Sequence, residues 1–241
     1  MDVRSMQYDF KTKINKVDSQ QYRNLRVPEI DWKLNEATDI FIKFIAEPRR
    51  RNHLGFEVNQ RTIDDIRTIV RNEVRLTLSP AEVDTEGIYY AIPEDYMFYV
   101  SGEVTICKEG CSDRTARLII RQHDDRHEES PFDNSSFEWG EVNARFVGNS
   151  LRVFTDGTFT VKEIKIDYIR KHAYIHNAQD FLPGSTYNLP DGTVLIGSQD
   201  CELPEHTHRE IVDIAVLLTT GELQIPDYQI KQAKLNLNQI N

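Results

Sequence analysis

The chain has 241 residues, of which 39 are acidic and 29 basic, giving a formal net charge of -10, and hydrophobic residues make up 39% of it. This length buries a core without disulfides or metal, and the composition is neither disordered nor fibrous. The acidic balance argues against a protein that wraps duplex nucleic acid by charge. The three cysteines, Cys107, Cys111 and Cys201, are odd in number and widely spaced. They suggest no disulfide framework and a reducing compartment. The opening MDVRSMQYDFKTKINK lacks the apolar stretch of a signal peptide. No apolar run approaches membrane-spanning length. The expectation is a protein folded in the cytoplasm of the cell that makes it.

Residues 1–72 read as helical. Met6 to Ile14 fits a short helix or a docking arm. Pro28, with Glu29 and Asp31 in the first turn, opens a helix. Its apolar positions are Ile30, Leu34, Ala37, Phe41, Phe44 and Ile45, with Lys33, Asn35, Glu36, Asp39 and Lys43 as the polar face. That helix stops near Pro48. After the basic loop Arg49-Arg50-Arg51-Asn52, Thr62 and Asp65 resemble a capping box for a second helix burying Ile63, Ile66, Ile69 and Val70.

Residues 73–200 read as β. Val74, Leu76 and Leu78 alternate with Arg75 and Thr77, and further strands are expected at Tyr96–Lys108, Arg114–His123, Leu151–Thr155 and Thr158–His172. Asp156-Gly157 signals a hairpin, and Lys108-Glu109-Gly110 and Asp191-Gly192 are two more turns. Residues 201–241 return to helix through Ile211, Ile214, Ala215 and Leu218, with Gly221 as a C-cap. A polar helix follows from Asp227 to Ile240, suited to docking on a partner. The expected fold is α+β: a helical bundle of N- and C-terminal helices carrying a central antiparallel β sandwich or partial barrel as an insertion.

Few constellations carry chemistry. His206-Thr207-His208, near Cys201, Glu205 and Glu210, is the strongest metal candidate. Its i, i+2 spacing puts the rings on different sides of a helix, unlike the i, i+4 pair of a zincin. The run His123-Asp124-Asp125-Arg126-His127-Glu128-Glu129 lacks the alternating ligands and central glycine of a calcium loop. It reads as a charged loop, with Phe132 after it as an apolar interface anchor. Cys107 and Cys111 lack the further ligands a zinc site needs. The chain contains no G-x-S-x-G elbow, P-loop or dinucleotide fingerprint. The residues therefore point away from an enzyme, with no catalytic residue, metal or cofactor expected. The candidate partner-binding residues are Arg49, Arg50, Arg51, Asp124, Asp125, Arg126, Phe132, His206 and His208. The arginines suit an acidic partner patch or a phosphate. Two other readings remain at this point. One is a non-catalytic β-domain module recognising protein or carbohydrate through Tyr89, Tyr90, Phe137 and Trp139. The other is a metal-dependent hydrolase built on His206, His208 and the acidic loop.

Four segments together resemble the ring proteins, head-to-tail connectors or tail adaptors, of crAss-like short-tailed phages. They are Glu29–Ala37 with Phe41-Ile42-Lys43, Gly55–Arg61 running into Asp64-Asp65-Ile66, Ile92–Tyr96, and Leu203–Asp213. The resemblance spans about residues 22 to 220 and contains no catalytic motif. It implies a helical bundle carrying a β domain, assembled as a ring, typically twelvefold, next to a portal protein and neighbouring ring or tail proteins. Genomic DNA passes through the lumen of such a ring without specific binding, and an acidic lining suits that. It also implies that the polar tail Asp227–Asn241 and the arm Met1–Tyr22 grip neighbours. The protein would then reside in the portal-tail region of the virion, with no membrane contact.

Overall fold

The structure, a computed structural model, describes residues 1–15, 25–46, 64–84, 87–121, 133–181 and 186–222. The chain divides into two compact units, one comprising Met1–Ile69 with His172–Asn241 and the other Val70–Lys171. Residues 172–200, read from sequence as part of the β zone, thus group with the helices.

In the helical unit, α1 spans Val3–Asn15. Asp2 caps it: its carboxylate accepts the Ser5 N–H at 3.1 Å, satisfying one of the free donors of the first turn. The spacing of Val3, Met6, Phe10 and Ile14 puts all four on one face, and all four are buried. Helix α2 spans Val27–Ala46, and the Glu29 carboxylate closes its start by accepting the Arg26 N–H at 2.8 Å. Ile30, Leu34, Ala37, Phe41, Ile42 and Ile45 are buried along it. Helix α3 spans His208–Glu222 and buries Ile211, Val212, Ala215 and Val216, packing against both α1 and α2. It runs through Gly221 rather than ending before it. The second helix expected over residues 62–70 amounts, in its described part, to one helical turn at residues 64–66. From Val70 the chain is strand, because Ile69, Val70 and Val74 are β-branched and prefer the extended backbone.

The other unit is an eight-stranded sheet. Its strands are β1 (Val70–Arg75), β2 (Thr77–Asp84), β3 (Gly87–Ala91), β4 (Tyr96–Cys107), β5 (Arg114–Ile120), β6 (Glu141–Val147), β7 (Ser150–Val153) and β8 (Thr160–Arg170). Their spatial order is β1-β8-β4-β5-β6-β7-β3-β2. Every neighbouring pair is antiparallel except β5 and β6, which the long 121–140 connection allows to run parallel. The two edge strands, β1 and β2, are consecutive in sequence and joined by Leu76 alone. Opposite edges separated by one residue require the sheet to curl back on itself, giving a half-barrel. Leu76 donates its N–H to the Ile164 carbonyl of β8 at 3.0 Å. Its side chain joins Val104, Ile106, Leu118, Val142, Leu151, Ile164 and Ile166 in one core.

Two turns need their glycines. Gly110 (φ +79°) closes the β4–β5 hairpin. Gly157 (φ +77°) follows Asp156, whose carboxylate accepts the Thr158 N–H at 2.8 Å. That second turn is a corner, not the expected hairpin: β7 pairs with β3 and β6, while β8 pairs with β1 and β4. Gly102 of β4 is needed for space. A Cβ there would lie 2.8 Å from Leu118 Cδ2 and 3.0 Å from the Tyr99 hydroxyl. Gly102→Ala is expected to lower stability by about 1–3 kcal/mol, as overpacked cores do, read from urea melts.

Candidate functional site

A buried polar cluster lies in the core of the helical unit, on α2. Asp31 is fully buried. One carboxylate oxygen accepts the Gln7 amide from α1 at 2.5 Å. The other accepts the Asn177 N–H at 3.0 Å and the Tyr187 hydroxyl at 2.7 Å. One turn on, Asn35 acts as a backbone mimic: its amide donates to the Ile175 carbonyl at 2.7 Å and accepts the Ile175 N–H at 2.8 Å. The Asn177 amide donates to Gln7 Oε1 at 3.0 Å and to Asp180 at 2.7 Å, and Arg4 of α1 grips Asp180 with two bonds of 2.7 and 2.6 Å. The cluster thus fastens α1, α2 and the segment from Ile175 to Tyr187 together. Asn177 belongs to β9 (His176–Asn177), which pairs with β12 (Ser198–Gln199). Tyr187 belongs to β10 (Tyr187–Asn188), paired with β11 (Val194–Leu195) through the turn at Asp191-Gly192.

Burial dominates the electrostatics of these groups. Burial pushes the Asp31 carboxyl above its usual range, against the pull of the Asn177 N–H, the Tyr187 hydroxyl and the Gln7 amide. Burial first, and Asp31 second, push the Tyr187 phenol upward. Burial alone leads in raising Tyr174 to about 12 and the Cys201 thiol to about 11. The tyrosine and cysteine shifts move those groups away from reactivity near neutrality, whereas the Asp31 shift moves its carboxyl toward it.

The histidines predicted as partner-binding are placed apart. His206, in a single 3₁₀ turn at Glu205–Thr207, contacts the buried Asp65 carboxylate at 2.7 Å. His208, buried, sits 2.8 Å by Nε2 from the Leu203 carbonyl, at the turn before α3. Among the described residues, no three His, Cys, Asp or Glu side chains converge where they could hold a metal ion. Arg49, Arg50, Arg51, Asp124, Asp125, Arg126 and Phe132 lie outside the described residues, as does the tail Asp227–Asn241.

Of the four aromatics considered for stacking, Tyr89 and Tyr90 are buried and Phe137 packs against the sheet core. Trp139 differs, being 81% exposed. Its turn is braced: Arg114 donates to the Phe137 and Glu138 carbonyls at 3.1 and 2.8 Å, and Ser136 and Glu141 pair as an isolated bridge. On the helical unit Tyr8 is 75% and Trp32 50% exposed. A groove of about 700 Å³ runs beside Tyr8, lined also by Arg4, Ser5, Asp9, Thr12 and Arg209.

Sequence reading missed the Asp31 cluster and placed Asn35 on the polar face, where the structure buries it. The signal was present: Asp31, Asn35 and Thr38 form a polar stripe at helical spacing beside Ile30, Leu34 and Ala37. No helix among the described residues is long and apolar enough to cross a membrane. No family model and no curated protein matches the chain.

Proposed function

We propose that this chain is a non-enzymatic structural subunit of a phage virion, one copy in a closed ring of the portal-tail connector through which genomic DNA passes. In this reading the N- and C-terminal helices form a bundle that carries the sheet unit. The supporting observation is the placement of large apolar side chains outside both units: Tyr8 and Trp32 on one, Trp139, Val100 and Leu78 on the other. A closed head-to-tail ring needs two different, complementary surfaces on each copy, and exposed aromatics are the side chains that anchor such contacts. The net charge of -10 suits a lumen that does not retain DNA.

The test is particle size. Mass photometry and negative-stain imaging should find ring-shaped oligomers of the purified protein, or the protein within portal-containing particles from infected cells. Trp139→Ala and Tyr8→Ala should each reduce ring or particle incorporation at least tenfold, with melting of the isolated chain nearly unchanged because both side chains are solvent-facing. A chain that remains monomeric and enters no particle overturns the proposal. A second reading, a non-catalytic module that recognises protein or carbohydrate, is favoured by Trp139 alone. Saturable quenching of Trp139 fluorescence by glycans would select it.

A further inference from the structure

Helix α2 turns one face outward with apolar side chains on it. Trp32 is 50% and Ile40 37% exposed, and the helical repeat gathers Glu29, Glu36, Asp39 and Lys43 onto the same side. This face begins where α3 ends. Lys33, the residue after Trp32, donates from its ammonium to the carboxylate of Glu222, the last residue of α3. The sequence that follows Glu222 has the pattern such a face requires. Leu223-Gln224-Ile225-Pro226 comes first, and four extended residues reach about 14 Å at most, enough for the chain to reverse beside Trp32. Pro226-Asp227 suits the opening of a helix. Beyond it Ile230, Ala233, Leu237 and Ile240 recur at three- and four-residue spacing as a single apolar stripe, flanked on one side by Lys231 and Lys234. At about 1.5 Å per helical residue, Ile230 to Ile240 covers about 15 Å and Trp32 to Lys43 about 16 Å.

We infer that the outward face of α2 is a docking site for residues 227–240 of the same chain, which pack along it as a helix with Ile230 beside Trp32 and Leu237 and Ile240 toward Ile40. The tether selects the occupant. Four residues separate the segment from Glu222, and a linker that short holds it at an effective concentration of about millimolar, which a second copy in dilute solution does not match. The charges agree with that occupant. Lys231 and Lys234 come to a surface with three carboxylates, Glu29, Glu36 and Asp39, against the ammonium of Lys43. The segment joins two stretches that share an interest in losing water: the half-exposed indole of Trp32 and the stripe, which has no other apolar surface beside its point of departure from α3. The docking belongs to the free chain and stands apart from the ring reading, whose other contact residues, Tyr8 and Trp139, it leaves exposed.

Two measurements on the full chain test the inference. In hydrogen exchange read by mass spectrometry, amides of residues 228–240 should be protected about tenfold or more over their intrinsic rates, and the protection should survive dilution. Trp139→Phe leaves Trp32 as the sole tryptophan. In that background Leu237→Asp with Ile240→Asp should move Trp32 emission to longer wavelength and make it easier to quench with acrylamide, because a charge in the stripe opposes its burial. Exchange of residues 228–240 at intrinsic rates overturns the inference, and so does Trp32 emission that ignores the aspartates. Protection lost on dilution also overturns it, by giving the face to a second copy.

Discussion

Asp31→Leu is expected to lower the stability of the helical unit by about 3–5 kcal/mol. Three donors converge on that carboxylate in a site with no solvent access: the Gln7 amide, the Asn177 N–H and the Tyr187 hydroxyl. Each buried donor left unbonded costs about 1–3 kcal/mol, offset in part because leucine does not bury a charge. Urea melts followed by the far-UV helix signal measure it, and a loss under about 1 kcal/mol would mean that the donors find other acceptors. The same site has a pH signature. Burial holds the folded-state carboxyl above its unfolded value, so the fold binds that proton more tightly than the unfolded chain does. The resulting contribution favours folding below the unfolded carboxyl range and is lost as pH rises through the raised value. Asp31→Asn has no proton to exchange. It should remove this part of the pH slope while costing less than leucine, since one side-chain oxygen still accepts.

Leu76→Pro is expected to cost more than about 3 kcal/mol and to exceed Leu76→Ala. Alanine removes only buried apolar volume, a loss of about 2–5 kcal/mol in well-packed cores. Proline also deletes the N–H that bonds to the Ile164 carbonyl and fixes the backbone at the corner where β1 passes into β2. Because that corner connects the two edges of the sheet, β1 and β2 amides should lose exchange protection ahead of β4 and β8. Equal melting of the proline and alanine variants would show that the sheet closes without this bond.

The helices and strands were legible where one period dominates. Ile30, Leu34, Ala37 and Phe41 mark α2 unambiguously, and Tyr96–Lys108 and Thr158–His172 anticipate β4 and β8 within a few residues. The mixed α+β class follows from those elements. What escaped the sequence was long-range. Strand β3 contains the Tyr89-Tyr90 pair but is only five residues long. Strand β6, with Asn143 and Arg145 among its apolar positions, has no clean alternation. The Asp156-Gly157 turn is as distinct as any hairpin turn, yet turn chemistry does not say which strands pair beyond it. The Asp31 cluster was hidden because short polar residues on a helix are usually solvated. Only tertiary packing turned Asp31 and Asn35 inward, against partners 140 or more residues away.

The discontinuity of the helical unit imposes an order on its birth. Synthesis runs from the N-terminus, so α1 and α2 emerge long before α3, which holds the apolar residues Ile211, Val212, Ala215 and Val216 that pack against them. The sheet unit lies wholly between them in sequence and can complete its hydrogen bonding while that partner is still untranslated. During this interval Met6, Phe10, Leu34 and Phe41 remain without their final cover. A ribosome stalled before residue 208 would therefore display a finished sheet beside two sticky helices, the form of this chain most in need of a chaperone.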